Sequence, residues 1–504
     1  MPTNSVIGSA RVRSGLSHPV IDCDGHWTEP IPLWAEYVRK LAGSSAADTF
    51  LAMQGTRGNA WYAMSSEERQ RRRYWRPAWW GFPANTLDRA TAMLPALMYE
   101  RLDDFGIDFA LILATRGNTP DYIRDPELRK VVVRAANLMH AEIFAPFSDR
   151  MMPAATVATN TPDEAIEEAE YAVKELGLKV VVINGSLVRT VPAYDTPDVD
   201  PTSVPFYVDS LALDSLYDYD PFWAKLVELK VSPMTHSGSR GWVDRSSVTN
   251  DVFNHMGHFA QAANSFARAL YLGGVTRRFP TLKFAFLEGG VAWGRSLCAD
   301  LVGHWEKRNT EALLKNLRPS NLDLDMLREL IAKYGGTWAA GRTEELLDNI
   351  DILFPGLNAQ QLTDRETDLD DFAAACVGSA QEVADEFARN FYFGCESDDP
   401  LVSLAFDAKL GPRLKPLFSS DVSHFDVTDM TEVLEEAHEL VEHGLLDDGE
   451  FREFVFSNTV ELHAGPNPDF FRGTVVQRAV EEELARTAAA STPAATGEEE
   501  GHKP

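Results

Sequence analysis

The sequence predicts a (β/α)8 barrel. Short apolar runs alternate with amphipathic helical stretches, eight such runs can be counted, and most of them end in a polar residue able to do chemistry. The runs are VIDCD (20–24), IDFALILA (107–114), MMPAATV (151–157), KVVVIN (179–184), VSPMTH (231–236), LKFAFLE (282–288), NFYFGCE (390–396) and KPLFSSD (415–421). Most are too short and too uniformly apolar for surface helices, and suit parallel strands covered on both faces.

Between the runs lie helices with apolar residues at i, i+3 and i+4, such as 126–147, 161–177 and 429–444. Thr161 and Asp429 are placed as N-caps, and Gly177 and Gly444 follow the last turns. An open doubly wound sheet has the same local signature; the 504-residue length and the count of eight runs favour the closed barrel. Residues 1–18 read as an N-terminal arm and 19–485 as the barrel domain, with insertions at 27–90, 185–219 and 310–388 expected at the catalytic rim or a subunit contact. Residues 486–504, ending TAAASTPAATGEEEGHKP, are poor in large apolar side chains and are expected to be a disordered tail.

Composition excludes several classes. A net charge of −29 and a pI near 4.8 oppose binding to nucleic acid or to an anionic membrane. The Arg- and Trp-rich segment RRRYWRPAWWGF (71–82) is therefore read as a lid or packing flap, not as a base-stacking platform. Cys23, Cys298, Cys376 and Cys395 are scattered, so neither a disulfide framework nor a thiolate zinc site is indicated, and a cytoplasmic location is expected. No signal peptide or membrane span is expected. No phosphate-cradling Gly-rich motif, dinucleotide fingerprint, HExxH or GxSxG occurs.

A parallel barrel places its active site at the C-terminal ends of its strands. Those ends carry Asp24 and His26, then His236, Glu288, Glu396 and Asp421, with His424 three residues on. Asp24 and His26 are two apart, so a strand presents both on one face. With His236 and Asp421 they form a mixed N/O set that suits one divalent metal ion, zinc or manganese, and its two carboxylates would neutralise the charge. Singly, a strand-end aspartate is commonly a loop cap and a lone histidine a hydrogen-bonded structural residue; the four together carry the metal reading.

These segments resemble the amidohydrolase-related family that includes aminocarboxymuconate semialdehyde decarboxylase and the resorcylate-type decarboxylases. VIDCDGHWTEP looks like its strand-1 metal motif, MTHSG like its strand-5 histidine segment and LFSSDVSHFD like its strand-8 aspartate motif. GGVTRRFPTLKFAFLEGGVAWG (273–294) looks like its approach to strand 6. The resemblance runs in patches from about residue 20 to 470. Two positions depart from the pattern: the first strand-1 ligand, often His or Glu there, is Asp24, and the strand-6 position, often a catalytic His, is Glu288. The resemblance implies that Asp421 shuttles a proton as well as binding metal.

Glu288 is open to two roles, proton acceptor or orienter of His236 or His26. His424 could contact substrate, brace Asp421 or cap a loop. Arg116 and Arg240 are candidates for a substrate carboxylate, or surface ion-pair partners. Trp27 is a candidate to line a substrate site, and the Trp-rich first insertion hints at an apolar or aromatic ligand, although Trp packs against protein as readily. His255 and His258, three apart on one predicted helix, are read as lining the substrate pocket or packing a helix.

The expected activity is hydrolysis by a metal-bound water. The alternative is non-oxidative decarboxylation of an aromatic or enoic acid, and the lesser alternative is a non-catalytic barrel used for binding. The expected partner is a small molecule, aromatic or carboxylate-bearing, with no nucleic acid or membrane, and the chain is expected to form a homodimer.

Overall fold

The computed structural model describes residues 8–54, 56–77, 83, 85–117, 120–192, 206–239, 242–316, 321–348 and 370–490. Ten strands form in chain order: β1 (Ile21–Trp27), β2 (Phe109–Ala114), β3 (Met151–Val157), β4 (Val180–Ile183), β5 (Leu187–Thr190), β6 (Phe206–Asp209), β7 (Pro233–Thr235), β8 (Phe284–Phe286), β9 (Phe391–Cys395) and β10 (Lys415–Phe418). Eight of them make one sheet in the order β1-β2-β3-β4-β7-β8-β9-β10, and each neighbouring pair is parallel. Each of the eight apolar runs supplies one of these strands. The remaining pair, β5 and β6, is an antiparallel hairpin inside the second insertion.

Almost every residue of the eight strands is buried, as required of parallel strands lined inside by side chains and covered outside by helices. The barrel closes where β10 meets β1, and the seam is made largely by one side chain. The Asp22 carboxylate accepts hydrogen bonds from the Ser420 amide (2.9 Å) and the Ser420 hydroxyl (2.7 Å), and the His26 amide donates to the Val422 carbonyl (3.0 Å). β1 also slips register between Asp22 and Gly25, and there Asp22 accepts from the Asp24 amide at 3.1 Å. The same carboxylate thus closes the sheet and shapes the strand end that carries Asp24 and His26.

Helices begin and end largely where local chemistry directs. Thr161 caps Pro162–Lys174 by accepting from the Glu164 amide, and Gly177 and Gly444 take the left-handed conformation at φ 72° and 69°. Asp429 does not cap the helix expected from it. That carboxylate closes a turn on Thr431, and the helix starts later, at Val433. Its first turn is capped by Ser9, whose hydroxyl accepts from the amides of Leu434 (3.0 Å) and Glu435 (3.2 Å). The N-terminal arm therefore contains a helix, Gly8–Gly15, docked on the barrel's last helices. At the other end the helix Gln477–Ala490 makes 486–490 helical, contrary to the expected tail; 491–504 lie outside the described residues.

The first insertion folds as Ile31–Met53, Thr56–Ala63, Ser66–Arg72 and Thr86–Met93. It is pinned to the loop after β7: Trp61 Nε1 donates to the Val248 carbonyl at 3.1 Å, the Arg76 amide donates to Ser247, and Asn254 Nδ2 donates to the Arg76 carbonyl. Arg71 and Arg72 both pair with Glu68 on the surface of this insertion. No helix among the described residues is long and apolar enough to cross a membrane.

The seam makes a testable demand. Asp22→Ala removes the acceptor of both Ser420 donors in a fully buried place and is expected to cost about 2–3 kcal/mol of unfolding free energy. Urea denaturation followed by circular dichroism measures it; an unchanged midpoint would show that the seam does not depend on this residue.

Candidate metal and active site

β1, β7, β8 and β10 deliver their terminal polar residues to one point above the barrel core. His26 Nε2 lies 3.1 Å from Asp24 Oδ1 and 3.2 Å from Asp421 Oδ1, and His236 Nε2 lies 3.7 Å from Asp24 Oδ1 and 2.9 Å from Glu288 Oε2. His424 Nδ1 is 2.7 Å from Asp421 Oδ1, and its ring stacks on His26 with centroids 3.8 Å apart. One ligand atom from each of Asp24, His26, His236 and Asp421 lies within 4.8 Å of the others. The four residues expected as metal ligands are thus brought together.

Their surroundings fit a cation. Both oxygens of Asp24 and of Asp421 and both ring nitrogens of His26 are buried, and none has a well-aligned hydrogen-bond partner, although they crowd within contact distance of one another. Buried polar atoms nearly always have a partner, and an uncompensated buried charge costs several kcal/mol. Burial, reinforced by Glu288, Asp426 and Asp24, drives the Asp421 carboxyl well above the usual range. Burial also raises Glu396 to about 9, with Glu288 and Asp426 adding to the push. Burial lowers His26, with Asp24 pulling the other way, which favours the neutral imidazole that a metal ligand must be.

The backbone is bent to aim these groups. Glu288 (φ 53°), Asp421 (φ 50°) and Ser423 (φ 93°) all take left-handed conformations, uncommon for non-glycine residues. Interstrand pairing continues past the strand ends through Leu287 N to Thr235 O and Ser419 N to Cys395 O, both 3.0 Å, and holds these turns in place.

A cavity of about 360 Å3 opens beside the cluster. His26, His236, Glu288 and His424 are among its lining residues. Thr156, Asn184 and Ser237 form a polar wall, and Leu113, Phe259 and Trp75 supply apolar surface. Ser237 Oγ donates to Asn184 Oδ1 (3.2 Å) and accepts from the Gly185 amide (2.8 Å), while Asn184 Nδ2 donates to Asp121. Trp75 comes from the Trp-rich segment of the first insertion; residues 78–82 of that segment lie outside the described residues.

Several expected site residues stand elsewhere. Trp27 is in the core, edge-on to His140 and Phe144, with Nε1 donating to the Met93 carbonyl, and does not reach the cavity: as the last residue of β1 it faces opposite to His26. Arg116 is half-buried outside the cavity lining, and its amide donates to Glu29 at 3.2 Å. Arg240 lies outside the described residues. His255 and His258 are not on one helix. Gly257, at φ 67°, separates Asp251–His255 from His258–Leu272, yet the rings remain 5.0 Å apart. His258 is buried against Phe259, which in turn meets His236 edge-on at 4.7 Å. Asn184 and Ser237 were not anticipated, although Asn184 ends the fourth apolar run and Ser237 follows His236, so the strand-end rule points to both.

Known proteins resemble this chain in sequence and in fold. A family model described as Amidohydrolase matches residues 21–316, more than half of the chain. The γ-resorcylate decarboxylase of Rhizobium sp. (strain MTP-10005) is 31% identical over 178 residues, covering 31% of this chain and 53% of the relative. That of Rhodococcus jostii (strain RHA1) is 28% identical over 191 residues, covering 36% and 52%. The chain spans about half the length of these curated relatives. An amidohydrolase structure from Mycobacterium avium subsp. paratuberculosis K-10 shares the fold, with a TM-score of 0.52 at 16% identity over 89% of this chain and 99% of the other.

Two measurements follow from the site. His236→Ala and Asp421→Asn are each expected to reduce tightly bound divalent metal from about one equivalent per chain to a small fraction of that, read by elemental analysis of purified protein. Burial raises Glu29 to about 7, against the pull of its amide donors. The folded chain then holds a proton there that the unfolded chain releases near the ordinary value of 4.5, so stability falls as pH rises from 4.5 to 7. Glu29→Gln removes this fall, and its unfolding free energy relative to wild type should rise by about 2–3 kcal/mol across that window. A constant difference would refute the assignment.

The strand-end cluster, the eightfold parallel sheet and the match from the first strand through the sixth together place this chain in the amidohydrolase family.

Proposed function

We propose that this protein is a metal-dependent decarboxylase of a small aromatic acid, working at the mouth of the barrel. The observation that carries the reading is the kinship of its barrel with the γ-resorcylate decarboxylases. The arrangement of Asp421 and His424 supports it.

Asp24, His26, His236 and Asp421 would hold one divalent cation, zinc or manganese. Bound there, the cation would supply Lewis-acid polarisation of the substrate's oxygens. A cavity of about 360 Å3 suits a single substituted ring. Phe259 and Trp75 offer aromatic surface to such a ring, and Asn184 and Ser237 offer polar contacts to its substituents.

In decarboxylation the bond from ring carbon to carboxyl carbon breaks, its electron pair stays on the ring carbon, CO2 leaves, and one proton is delivered to that carbon. Asp421 is the group placed to deliver it, as the strand-end carboxylate in contact with His424, which can pass a proton to it. His424, 2.7 Å away through Nδ1, is placed to restore the proton from the cavity side, where its Nε2 lies 3.4 Å from Thr115 Oγ1. Glu288, 2.9 Å from His236 Nε2, orients that imidazole. No water nucleophile is consumed. Hydrolysis, the first expectation from the sequence, would instead need Glu288 as the base that activates water.

Protein loaded with Mn2+ and supplied with γ-resorcylate is expected to release CO2 and, in D2O, to place deuterium on the carbon that lost the carboxyl group. His424→Ala should retain its metal and lose about 100-fold in kcat. Labelled oxygen from water in the organic product would mean hydrolysis and overturn the reading. So would the absence of turnover on any hydroxybenzoate by fully metal-loaded protein.

A further inference from the structure

We propose that the barrel mouth has a second divalent-cation site, formed by His255, Glu288 and Asp426. It rests on the reading of Asp24, His26, His236 and Asp421 as the first such site. One ligand atom from each of the three residues lies within 4.8 Å of the others. Donors about 2.1 Å from a shared ion stand roughly 3–4 Å apart, so small side-chain adjustments close the triad on a cation. One imidazole and two carboxylates make an N/O set of the kind that takes zinc or manganese.

The three donors are not neighbours in sequence. Glu288 follows β8, His255 ends the helix Asp251–His255 in the loop after β7, and Asp426 lies in the loop after β10. They converge because the loops at the strand ends of a parallel barrel share one rim. The His255 ring is set by packing, edge-on to His258 (5.0 Å) and to Phe425 (5.8 Å), and its Nε2 stands 3.8 Å from Asp426 Oδ2.

Glu288 joins the two sites. It is buried, held in a left-handed backbone conformation, and reaches His236 Nε2 at 2.9 Å. A cation on its outer side would compensate the charge that Glu288 and Asp426 add beside the first site, where one divalent cation already balances Asp24 and Asp421. The second site has three protein donors, two of them partly exposed, with side chains 24% and 34% accessible for His255 and Asp426. The first has four donors, nearly all deeply buried. The second ion is therefore held more weakly.

The test uses untagged full-length protein stripped of metal and dialysed to equilibrium against increasing Mn2+, with bound metal counted by mass spectrometry. Wild type should take up two equivalents, the second at least tenfold more weakly than the first. His255→Ala and Asp426→Asn should each bind one equivalent with the first affinity unchanged, and Asp421→Asn should lose the tight equivalent. A single equivalent in wild type, or a second equivalent retained in both His255→Ala and Asp426→Asn, overturns the second site and leaves the first standing. No bound Mn2+ at all, or a tight equivalent that survives both His26→Ala and Asp421→Asn, overturns the first site and the inference with it.

Discussion

Two carboxylates and two imidazoles, Asp24, Asp421, His26 and His236, meet above the barrel core with almost no access to solvent. The carboxylate oxygens, separated from bulk water, cannot be ionised cheaply without a compensating charge, and at Asp24 and Asp421 no well-aligned protein hydrogen bond offsets the cost. A divalent cation bound there would resolve that constraint. Other features at the mouth accord with it: the left-handed turns at Glu288 and Asp421, the burial that lowers the His26 pKa, and the His424 ring stacked over that imidazole.

The barrel supplies the rigidity this cluster needs. Parallel strands place their C-terminal ends on one rim, and Asp22 ties the first strand to the last through Ser420. Asp22 stands two residues before Asp24, so barrel closure and ligand placement share one short segment. Burial pushes the Asp22 carboxyl up to about 6 despite its donors, a sign that closure is achieved in a dry, low-dielectric place. The first insertion then arches over the cavity and is clamped to the loop after β7, bringing Trp75 to the cavity wall far in sequence from the strands.

The cavity is lined by two kinds of polar group. His26, His236, Glu288 and His424 are the ones whose chemistry suits metal binding or proton transfer. Asn184 and Ser237, also in the lining, are locked together and onto Asp121, a fixed polar surface that presents the same geometry to each incoming molecule. Phe259 and Leu113 add apolar surface to the same lining.

By itself the sequence determined the eight strands and the polar residues at their ends. Strand period and burial are local properties: an apolar run of five to eight residues between amphipathic helices has few other uses, and Asp24 and His26 two apart must share a face. Only tertiary structure decided what depends on distant segments meeting. Trp27 looked like a site residue but adjoins His26 on the opposite face, so alternation sends it into the core. His255 and His258 had helical spacing, but Gly257 breaks the helix between them. The cap of the helix at Val433 comes from Ser9, more than four hundred residues away, and no local pattern could name it. Glu288 was legible as a strand end, yet its place between His236 on one side and His255 with Asp426 on the other exists only because barrel closure brings three loops to one rim.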